Sequence, residues 1–413
     1  MGGTLTGVTR GLRGYRADVA FDGERELPGG ALVLVEGELI AGVEPASASA
    51  PEGCEVTHIP GATLLPGLID AHVHLCGDSG PRALDQLPEL SDADLDRVID
   101  EALTRHLRAG VTTVRDLGDI EWAVVDRRDT RADRPRVVAA GPPITSVGGH
   151  CSNMGGGAAG RDALVRAVRE RADRGVDVVK IMASGGIMTV GTDVLACTFA
   201  LDELRLLVDE AHRLGLPVTA HAHALAAVTQ SVDAGVDGIE HCSCLTPDGP
   251  RIPPELAERL AAAGTRVCPT LGLAPGVPIP PRVLAIMERL GITDELRRAQ
   301  AAELHGAGVR LISGGDSGNN PPKPHGGMAQ SVIELAKGGV PVAEALATAT
   351  ARAAEGCGLA ERTGRLRAGL SADLLIVDGN ALADAAALRS VRTVVARGHE
   401  ADLSTEQPSK GRE

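Results

Sequence analysis

Hydrophobic and polar positions follow two rhythms that alternate repeatedly along the chain after Pro66. Short runs of β-branched and other apolar residues are typical of buried strands, whereas apolar residues spaced three and four apart are typical of amphipathic helices. The predicted strands of this region are Gly67–His72, Thr112–Asp116, Arg136–Ala140, Asp177–Met182, Pro217–His221, Gly238–His241, Arg266–Pro269 and Arg310–Ser313. The predicted helices between them are Asp92–Ala109, Arg161–Arg174, Asp202–Leu214, Leu225–Ala234, Pro254–Ala263 and Asp294–Ala307. This alternation predicts an α/β fold, a parallel (β/α)8 TIM barrel that the helices Gly327–Lys337 and Val342–Cys357 would complete.

The two ends of the chain have a different pattern, which indicates strands and turns without helices. Gly37 separates the runs Ala31–Glu36 and Glu38–Val43, as expected for a hairpin. The other strands predicted in the two ends are Glu55–Ile59, Ala62–Leu65, Ala372–Val377 and Val391–Arg397. We therefore expect residues 1–63 and 364–413 to form a small β-sandwich module beside a barrel domain of residues 64–363. The polar tail Ser404–Glu413 is expected to be disordered.

Composition and charge exclude several classes of function. The formal net charge is −14 without a basic tract, which disfavours phosphate backbones and anionic membranes, and the 1% of aromatic residues offers few rings for base stacking. No apolar run approaches the roughly 18 residues of a membrane span, and Met1–Arg10 lacks the apolar core of a signal peptide. The eight irregularly placed cysteines are interpreted as reduced thiols. These features predict a cytoplasmic protein that acts on a small molecule and binds neither nucleic acid nor a membrane.

The placement of histidines suggests a metal site. His72 and His74 lie in the run Asp70-Ala71-His72-Val73-His74, and alternate residues of a strand point to the same side. Two imidazoles at this spacing can hold one cation from one face. Alone, however, such a short motif arises more often without a metal than with one.

Further polar residues at the carboxyl ends of predicted strands strengthen the interpretation. Barrel enzymes build their active sites at these ends. Together with His72 and His74 there are six such polar residues, and core packing does not explain them, since each unpaired buried polar group costs free energy. Imidazoles and carboxylates are ligands that zinc prefers, and four His with one Asp suffice for two ions about 3.5–4 Å apart. Lys180 differs, because an ammonium has no lone pair and repels cations, so spacing alone favours an ordinary salt-bridged or surface lysine. These additional residues are Lys180, His221, His241 and Asp316.

Motifs along nearly the whole chain resemble those of the amidohydrolase superfamily, and they occur in the same order. The resemblance begins with Leu64–His74 and continues through Val179–Gly186, Ala220–His223, Ile239–His241 and Gly314–Asp316, and the stretch Gly364–Leu374 is similar to the C-terminal β-module signature. Within the superfamily, Gly148-Gly149-His150, the Lys180 stretch and Pro324-His325-Gly326 resemble the imidazolonepropionase-like branch that includes zinc Xaa-Pro (prolidase-like) and Lys/Arg dipeptidases.

This resemblance implies a binuclear metal centre. One divalent ion, expected to be Zn²⁺, would be held by His72, His74 and Asp316, and the second by His221 and His241. A carbamate formed from CO2 on Lys180 would bridge the two ions, which removes the electrostatic objection because a carbamate is an anionic oxygen ligand. A hydroxide bridging the metals would be the nucleophile.

The implied reaction is cleavage of a C–N amide bond in a dipeptide-like or N-acyl substrate. Two cations lower the pKa of bound water and polarise the scissile carbonyl. Asp316 would take the proton of the nucleophile and deliver it to the leaving amine. The side-chain donors expected to support the oxyanion, and to touch substrate, are His150 and His223. The alternatives are a solvent-facing histidine in a mobile loop for His150 and a helix-start histidine for His223.

Two more residues are candidates for substrate contact. His325 follows the eighth predicted strand, where it would either line the barrel mouth or lie at the surface. Arg115 ends the second predicted strand, where it would either bind a substrate carboxylate or pair with Asp116.

The chain departs from this branch in several places. The motif around Asp316 has Gly315 and Ser317 where Thr and Ala are common in the branch, and the only tyrosine, Tyr15, lies in the N-terminal region. Recognition of a carboxylate by a tyrosine therefore cannot carry over. Three cysteines beside proposed site residues are interpreted as buried packing residues rather than ligands or nucleophiles. They are Cys151, Cys242 and Cys244.

Other functions stay open at this point. A ring-opening hydrolase of a cyclic amide, imide or lactone in specialised metabolism would use the same metals and fold. A deaminase fits less well, because deaminases of the superfamily usually use one metal and lack the bridging lysine. A catalytically inactive scaffold is disfavoured by the complete set of ligands. The resemblance also implies a homo-oligomer, since many relatives assemble.

Overall fold

The computed structural model describes residues 11–128 and 133–404. The predictions for the first ten residues and for the tail beyond Ser404 fall outside the described residues. The strands are β1 (Leu12–Phe21), β2 (Glu26–Leu27), β3 (Ala31–Glu36), β4 (Leu39–Pro45), β5 (Glu55–Pro66), β6 (Leu68–Val73), β7 (Val111–Asp116), β8 (Arg136–Ala139), β9 (Val179–Met182), β10 (Val218–Ala224), β11 (Gly238–Thr246), β12 (Gly249–Pro250), β13 (Arg266–Cys268), β14 (Arg310–Leu311), β15 (Leu374–Asp378), β16 (Val391–Ala396) and β17 (His399–Glu400). The helices are α1 (Asp92–Arg108), α2 (Ala123–Arg127), α3 (Arg161–Asp173), α4 (Leu201–Arg213), α5 (Leu225–Ala234), α6 (Pro254–Ala263), α7 (Pro281–Arg289), α8 (Asp294–Gly306), α9 (Met328–Lys337), α10 (Val342–Thr348) and α11 (Ala351–Gly356).

Strands from both ends of the chain share one eight-stranded sheet. Its order is β17-β16-β15-β5-β1-β3-β4, with β2 paired to β1. The strand β5 joins the two ends, because it pairs in parallel with β1 and antiparallel with β15, where Leu64 lies opposite Ile376. The two runs predicted between Glu55 and Leu65 are a single strand that contains Gly61 at φ 71°, a conformation that favours glycine. Tyr15 is buried in this terminal sheet.

Parallel strands at the centre of the molecule carry the proposed site residues. One sheet contains β6, β7 and β8, and the other contains β9, β10, β11, β13 and β14 in that order. All eight strands predicted for this region are present. Backbone hydrogen bonds also cross both gaps between the sheets, from Asp177 N to Ala139 O (2.9 Å) and from Ala71 N to Ser313 O (3.0 Å). The fold is therefore α/β and TIM-barrel-like, with the carboxyl ends of the parallel strands on one face.

Local sequence signals explain where several helices begin and end. Ser91 and Asp94 form a reciprocal capping box at the start of α1, which satisfies backbone donors of the first turn. The helices α5 and α6 end at Gly235 and Gly264, whose φ values of 81° and 68° suit a glycine C-cap. Every residue of β6 and β7 is buried, as expected for parallel strands covered on both faces. Among the described residues, no helix combines the length and apolar character needed to cross a bilayer.

One predicted helix is wrong. The run Val342–Cys357 is divided into α10 and α11, because Thr350 leaves the helical region with φ −130° and ψ −103°. The Thr350 hydroxyl lies 2.9 Å from Leu346 O and 3.0 Å from Gly23 O, so the break is held against a loop of the terminal sheet.

The sequence pattern also misses several elements, among them β1, α7 and α2. In β1, Arg, Gly and Asp interrupt the apolar run, and the strand is recognisable only from its pairing with β3 and β5. The helix α7 follows a proline-rich stretch that indicates a loop, yet Pro281 at its first position is compatible with a helix start. The helix α2 has five residues, too few to show a helical period.

Candidate metal centre

The carboxyl ends of the parallel strands surround a cavity of about 140 Å³. Lys180 lies in β9, His221 and His223 lie in β10, and His241 lies in β11. All six predicted metal ligands and both predicted oxyanion donors line this cavity. These residues are His72, His74, His150, Lys180, His221, His223, His241 and Asp316.

One group of potential ligands consists of His72, His74 and Asp316, whose donor atoms all lie within 4.8 Å of one another. The Asp316 Oδ1 atom is 3.4 Å from His72 Nε2 and 3.2 Å from His74 Nε2. The other ring nitrogens face acceptors, since His72 Nδ1 lies 2.8 Å from Glu240 Oε2 and His74 Nδ1 lies 3.1 Å from Gly118 O. Metal-binding histidines are commonly oriented by such a partner on the second nitrogen. Both Nε2 atoms are therefore directed at one point beside Asp316.

A second group consists of His221, His223 and His241, whose ligand atoms also lie within 4.8 Å of one another. His241 Nδ1 is 2.8 Å from the Thr270 hydroxyl, and His223 Nδ1 is 2.9 Å from the Ser243 hydroxyl. The sequence placed His223 apart from the ligands, whereas the structure places it with His221 and His241. The second group thus offers three imidazoles rather than two.

Lys180 lies close to both groups and is almost completely buried. Among the described residues, its Nζ atom has no hydrogen-bond partner. Burial lowers the pKa of Lys180, although the charges of Glu240 and Asp316 act in the opposite direction. A buried amine without a partner is costly as a cation, so the environment disfavours the salt-bridged or surface lysine considered above.

Burial keeps most of these imidazoles neutral. It lowers the pKa of His72 to about 4 and those of His150 and His223 to about 3. For His221 and His241 the pKa also lies well below its usual value, with burial as the main cause. A neutral imidazole retains the lone pair that a metal ion requires.

The pKa values of His74 and Asp316 depend on each other. Burial alone would lower the pKa of His74, but its hydrogen bond to Asp316 and the charges of Asp316 and Asp116 together outweigh burial and raise that pKa. Burial would likewise raise the pKa of Asp316, yet His72 and His74 hold it below its usual range. Asp316 is therefore an ionised carboxylate, as a ligand and proton acceptor must be.

Comparison with known proteins identifies the family. The sequence pattern of the Amidohydrolase family matches residues 63–401 of this chain. The chain therefore belongs to the amidohydrolase family. Ochratoxinase from Aspergillus niger is 30% identical over 354 residues, which cover 78% of this chain and 71% of that protein.

Solved structures agree with this family. A Xaa-Pro dipeptidase with bound methionine in its active site has a TM-score of 0.82 at 23% identity, covering 94% of this chain and 98% of that chain. A prolidase complexed with N-methylphosphonate-L-proline has a TM-score of 0.80 at 25% identity, covering 94% and 99% of the two chains. The predicted resemblance to the prolidase-like branch is confirmed, and this amidohydrolase is a hydrolase that cleaves C–N amide bonds.

Glu240 is a site residue that the sequence motifs did not single out. Its Oε2 atom faces His72, and its Oε1 atom accepts from Arg115 Nη2 (3.0 Å) and the Thr219 hydroxyl (2.6 Å). Burial would raise the pKa of Glu240, but the charge of Arg115 and the hydrogen bond of His72 are among the interactions that outweigh burial and keep it low. The available signal was a single carboxylate within the fully buried start of β11.

Two of the predicted substrate contacts lie away from the cavity of this amidohydrolase. Arg115 donates to Ala71 O (2.7 Å) and to Glu240, so its carboxylate partner within the protein is Glu240 rather than Asp116. His325 Nε2 lies 2.7 Å from Gly77 O, and its Nδ1 lies 3.1 Å from His106 Nε2. Neither side chain lines the metal-centre cavity, because hydrogen bonds hold both beside or beneath it.

The loop residue His150 does line the cavity. Its Nδ1 atom lies 2.7 Å from the Thr189 hydroxyl, so the side chain is held in place rather than exposed to solvent. Cys151, which also lines the cavity, has a pKa raised to about 12 by burial, and its thiol stays protonated. Cys242 and Cys244 are buried and do not line the cavity.

A second cavity of about 390 Å³ adjoins the first in this amidohydrolase. The two share His223, His241 and Lys323 in their walls. One part of the wall of the second cavity is apolar and includes Leu273, Met287 and Ile292, whereas the rest carries polar and charged side chains. A substrate group larger than the metal-centre cavity can therefore extend along this apolar part.

Proposed function

We propose that this protein is a binuclear metal-dependent hydrolase that cleaves the amide bond of a dipeptide-like or N-acyl substrate. The observation that carries the proposal is the convergence of His72, His74, Lys180 and Asp316 with four further histidines around one cavity. These residues lie far apart in the sequence, and packing alone gives no reason for eight ionisable side chains, seven of them buried, to meet.

The donor set fits two divalent ions. Imidazole nitrogens and carboxylate oxygens suit zinc, which is the metal we propose. His72, His74 and Asp316 would hold one ion, and His221 and His241 the other. The neutral Lys180 amine would add to CO2 and lose a proton to solvent, and the resulting carbamate would supply anionic oxygen ligands to the ions. This modification accounts for a buried lysine that has no acceptor among the described residues.

The residues of the chain have distinct tasks in the proposed reaction. When bound, two divalent ions supply a water that is ionised near neutral pH and polarise the amide carbonyl. Asp316 accepts the proton of the attacking water and then donates it to the nitrogen of the leaving amine. His150 and His223 donate hydrogen bonds to the oxygen of the tetrahedral species, where negative charge develops. The buried walls of the cavity strengthen these interactions.

Two of the similar structures are consistent with this substrate class. They are a Xaa-Pro dipeptidase and a prolidase complexed with N-methylphosphonate-L-proline. Both support an amide substrate in which one part is an amino acid.

We also propose how the fold is divided. The hydrogen bonds across both sheet gaps support a closed (β/α)8 barrel of residues 64–363. The pairing of β5 with β1 and β15 supports a composite β-module of residues 1–63 and 364–413, and we propose that its sheet folds over on itself as a sandwich.

Metal analysis combined with hydrolysis tests the function. The purified protein should contain about two equivalents of zinc and release the amine from dipeptides or N-acyl amino acids, and removal of the metal should abolish the release. Protein that holds far less than two equivalents after reconstitution, or that stays inactive on such substrates when fully loaded, would refute the proposal.

A further inference from the structure

Lys323 is a buried cation of the site that the proposed mechanism does not use. It lies on the loop that follows Asp316, where its backbone N–H donates to Asn320 O (2.9 Å) and its carbonyl accepts from Gly318 N (2.9 Å). These bonds fix the position of the side chain relative to Asp316. Lys323 is 8% exposed and lines both the metal-centre cavity and the adjoining cavity.

The ammonium of Lys323 has unused capacity to donate hydrogen bonds. Its Nζ atom donates to Thr270 O at 2.6 Å. An ammonium has three donors, and among the described residues no carboxylate lies within 4 Å of this nitrogen. Burial lowers the pKa of Lys323, and an anion bound beside it would counteract that effect. The surroundings are therefore complementary to a negatively charged ligand.

Other cations near the cavity already have partners. Arg115 is bound to Glu240, and Arg297 donates to His241 O (2.6 Å) and Pro269 O (2.9 Å). Tyr15, the only tyrosine, lies in the terminal sheet and cannot contact a substrate. Lys323 is thus the cationic donor best placed to meet an anion inside the two cavities.

The neighbouring Asn320 offers a second polar group. It lines the metal-centre cavity and is 8% exposed, and its Oδ1 atom has no partner among the described residues. Among the described residues, its Nδ2 atom donates to the Met188 sulfur at 3.6 Å, which is a weak acceptor. The Nδ2 group can therefore donate to an oxygen of the same ligand that contacts Lys323.

We propose that Lys323 binds a carboxylate of the substrate and so selects amides that carry a carboxylate next to the scissile bond. The proposal rests on the proposed hydrolase function and specifies the substrate class of that site. The side group beside this carboxylate would extend into the adjoining cavity along the apolar part of its wall, which includes Leu273, Met287 and Ile292.

Two probes that differ only in the carboxylate test the role of Lys323. N-acetyl-L-leucine carries the carboxylate, and N-acetyl-isoamylamine is the same molecule without it. We expect the wild-type enzyme to prefer the acid by about 100-fold in kcat/KM, mainly through KM. Lys323→Met should reduce this preference by about 10- to 100-fold, the usual effect of losing a hydrogen bond to a charged group. Lys323→Arg should restore part of it, because the charge returns.

The ratio of kcat/KM between the two probes separates recognition of the carboxylate from a general effect on the active site. Lys323 also acts electrostatically on Asp316, so its loss can slow both substrates, and that common change cancels in the ratio. The matched control is Arg367→Met, because Arg367 is exposed, paired with Glu361 (2.9 Å) and part of the wall of neither cavity. This control should keep the wild-type ratio. An unchanged ratio in Lys323→Met, or an equal fall in Arg367→Met, would overturn the proposal.

Calorimetry separates failure of this proposal from failure of the hydrolase function. Wild-type protein should bind N-acetyl-L-leucine more tightly than the neutral analogue, and Lys323→Met should remove that difference at unchanged metal content. If this binding difference is seen without hydrolysis, the result supports carboxylate binding by Lys323 and refutes the hydrolase proposal. Hydrolysis of both probes at similar rates, or binding of neither probe at millimolar concentration, would refute the role of Lys323.

Discussion

The ring of His72 is held by Glu240 from below, with Nδ1 2.8 Å from the carboxylate oxygen Oε2. Glu240 is ionised, so it accepts the Nδ1 proton and leaves the lone pair of His72 on Nε2, the nitrogen that faces Asp316. The same carboxylate neutralises Arg115. One buried residue therefore sets both the orientation and the basicity of a proposed ligand.

Replacing this carboxylate should weaken the metal centre. In Glu240→Gln the side chain keeps its shape but loses the charge that orients His72 and neutralises Arg115. We expect affinity for the ion at His72, His74 and Asp316 to fall by about 10- to 100-fold, a typical effect for the partner of a ligand. Competition with a chelator of known affinity measures the change.

Glu210→Gln is the matched control for this experiment. Glu210 pairs with Arg169 (2.6 Å) and Arg213 (2.8 Å) on the outer helix α4. Its loss should leave metal affinity unchanged. Wild-type affinity in Glu240→Gln would show that the His72 ring is held without the carboxylate.

Carboxylation of Lys180 predicts that metal uptake depends on CO2. Reconstitution in buffer freed of CO2 should give less bound zinc than reconstitution with bicarbonate, and ¹³C-labelled bicarbonate should give a carbamate resonance in the loaded protein. Lys180→Ala should lose the resonance and the ions of one or both groups, whereas exposed Lys337→Ala should behave as wild type. Unchanged metal content and rate in Lys180→Ala would contradict the carbamate.

The two proposed oxyanion donors should affect turnover rather than metal content. His150→Ala and His223→Ala are each expected to lower kcat by about 10²- to 10³-fold, as loss of one such donor typically does. Steady-state kinetics with metal analysis of the same samples measures both properties. Loss of ions in His223→Ala would instead make His223 a ligand, a role that its position beside His221 and His241 permits.

The buried pair of His325 and His106 predicts loss of stability in acid. Burial lowers the pKa of His325 to about 4, below the value of about 6.5 in the unfolded chain. Between about pH 4 and 6.5 the unfolded state binds more protons than the folded state. The contribution of neutral, buried His325 to the unfolding free energy is therefore fully present above about pH 6.5 and is lost as the pH falls towards 4. In His325→Asn, the fall in unfolding free energy between about pH 7.5 and 5 should be smaller by about 2 kcal/mol. Urea unfolding at both pH values tests this, and equal falls in variant and wild type would contradict it.

The sequence predicts the strands and the histidines of this site for physical reasons. Strands buried on both faces appear as short apolar runs, and the alternation of side chains puts His72 on the same side as His74. The rule that parallel strands end at one face then brings distant residues such as Lys180 and Asp316 together.

The same rules explain what the sequence does not predict. Alternation places Glu240 opposite to its neighbour His241, yet both serve the site, because His241 has φ 68° and leaves the regular strand geometry. Lys323 lies on a loop, where no period constrains the direction of a side chain. The hydrogen bonds that turn His325 and Arg115 away from the cavity come from residues distant in sequence, such as Gly77 and Glu240.

The sheet formed from both ends of the chain has a consequence for biosynthesis. The strand β5 is followed almost directly by β6, which carries His72, but its partner β15 emerges from the ribosome some 300 residues later. Until then one edge of β5 is unpaired and the support beneath the first ligand is incomplete. We therefore expect the metal centre to form only after translation is complete. A prematurely terminated chain would have no active site and would expose an unpaired strand edge that promotes aggregation.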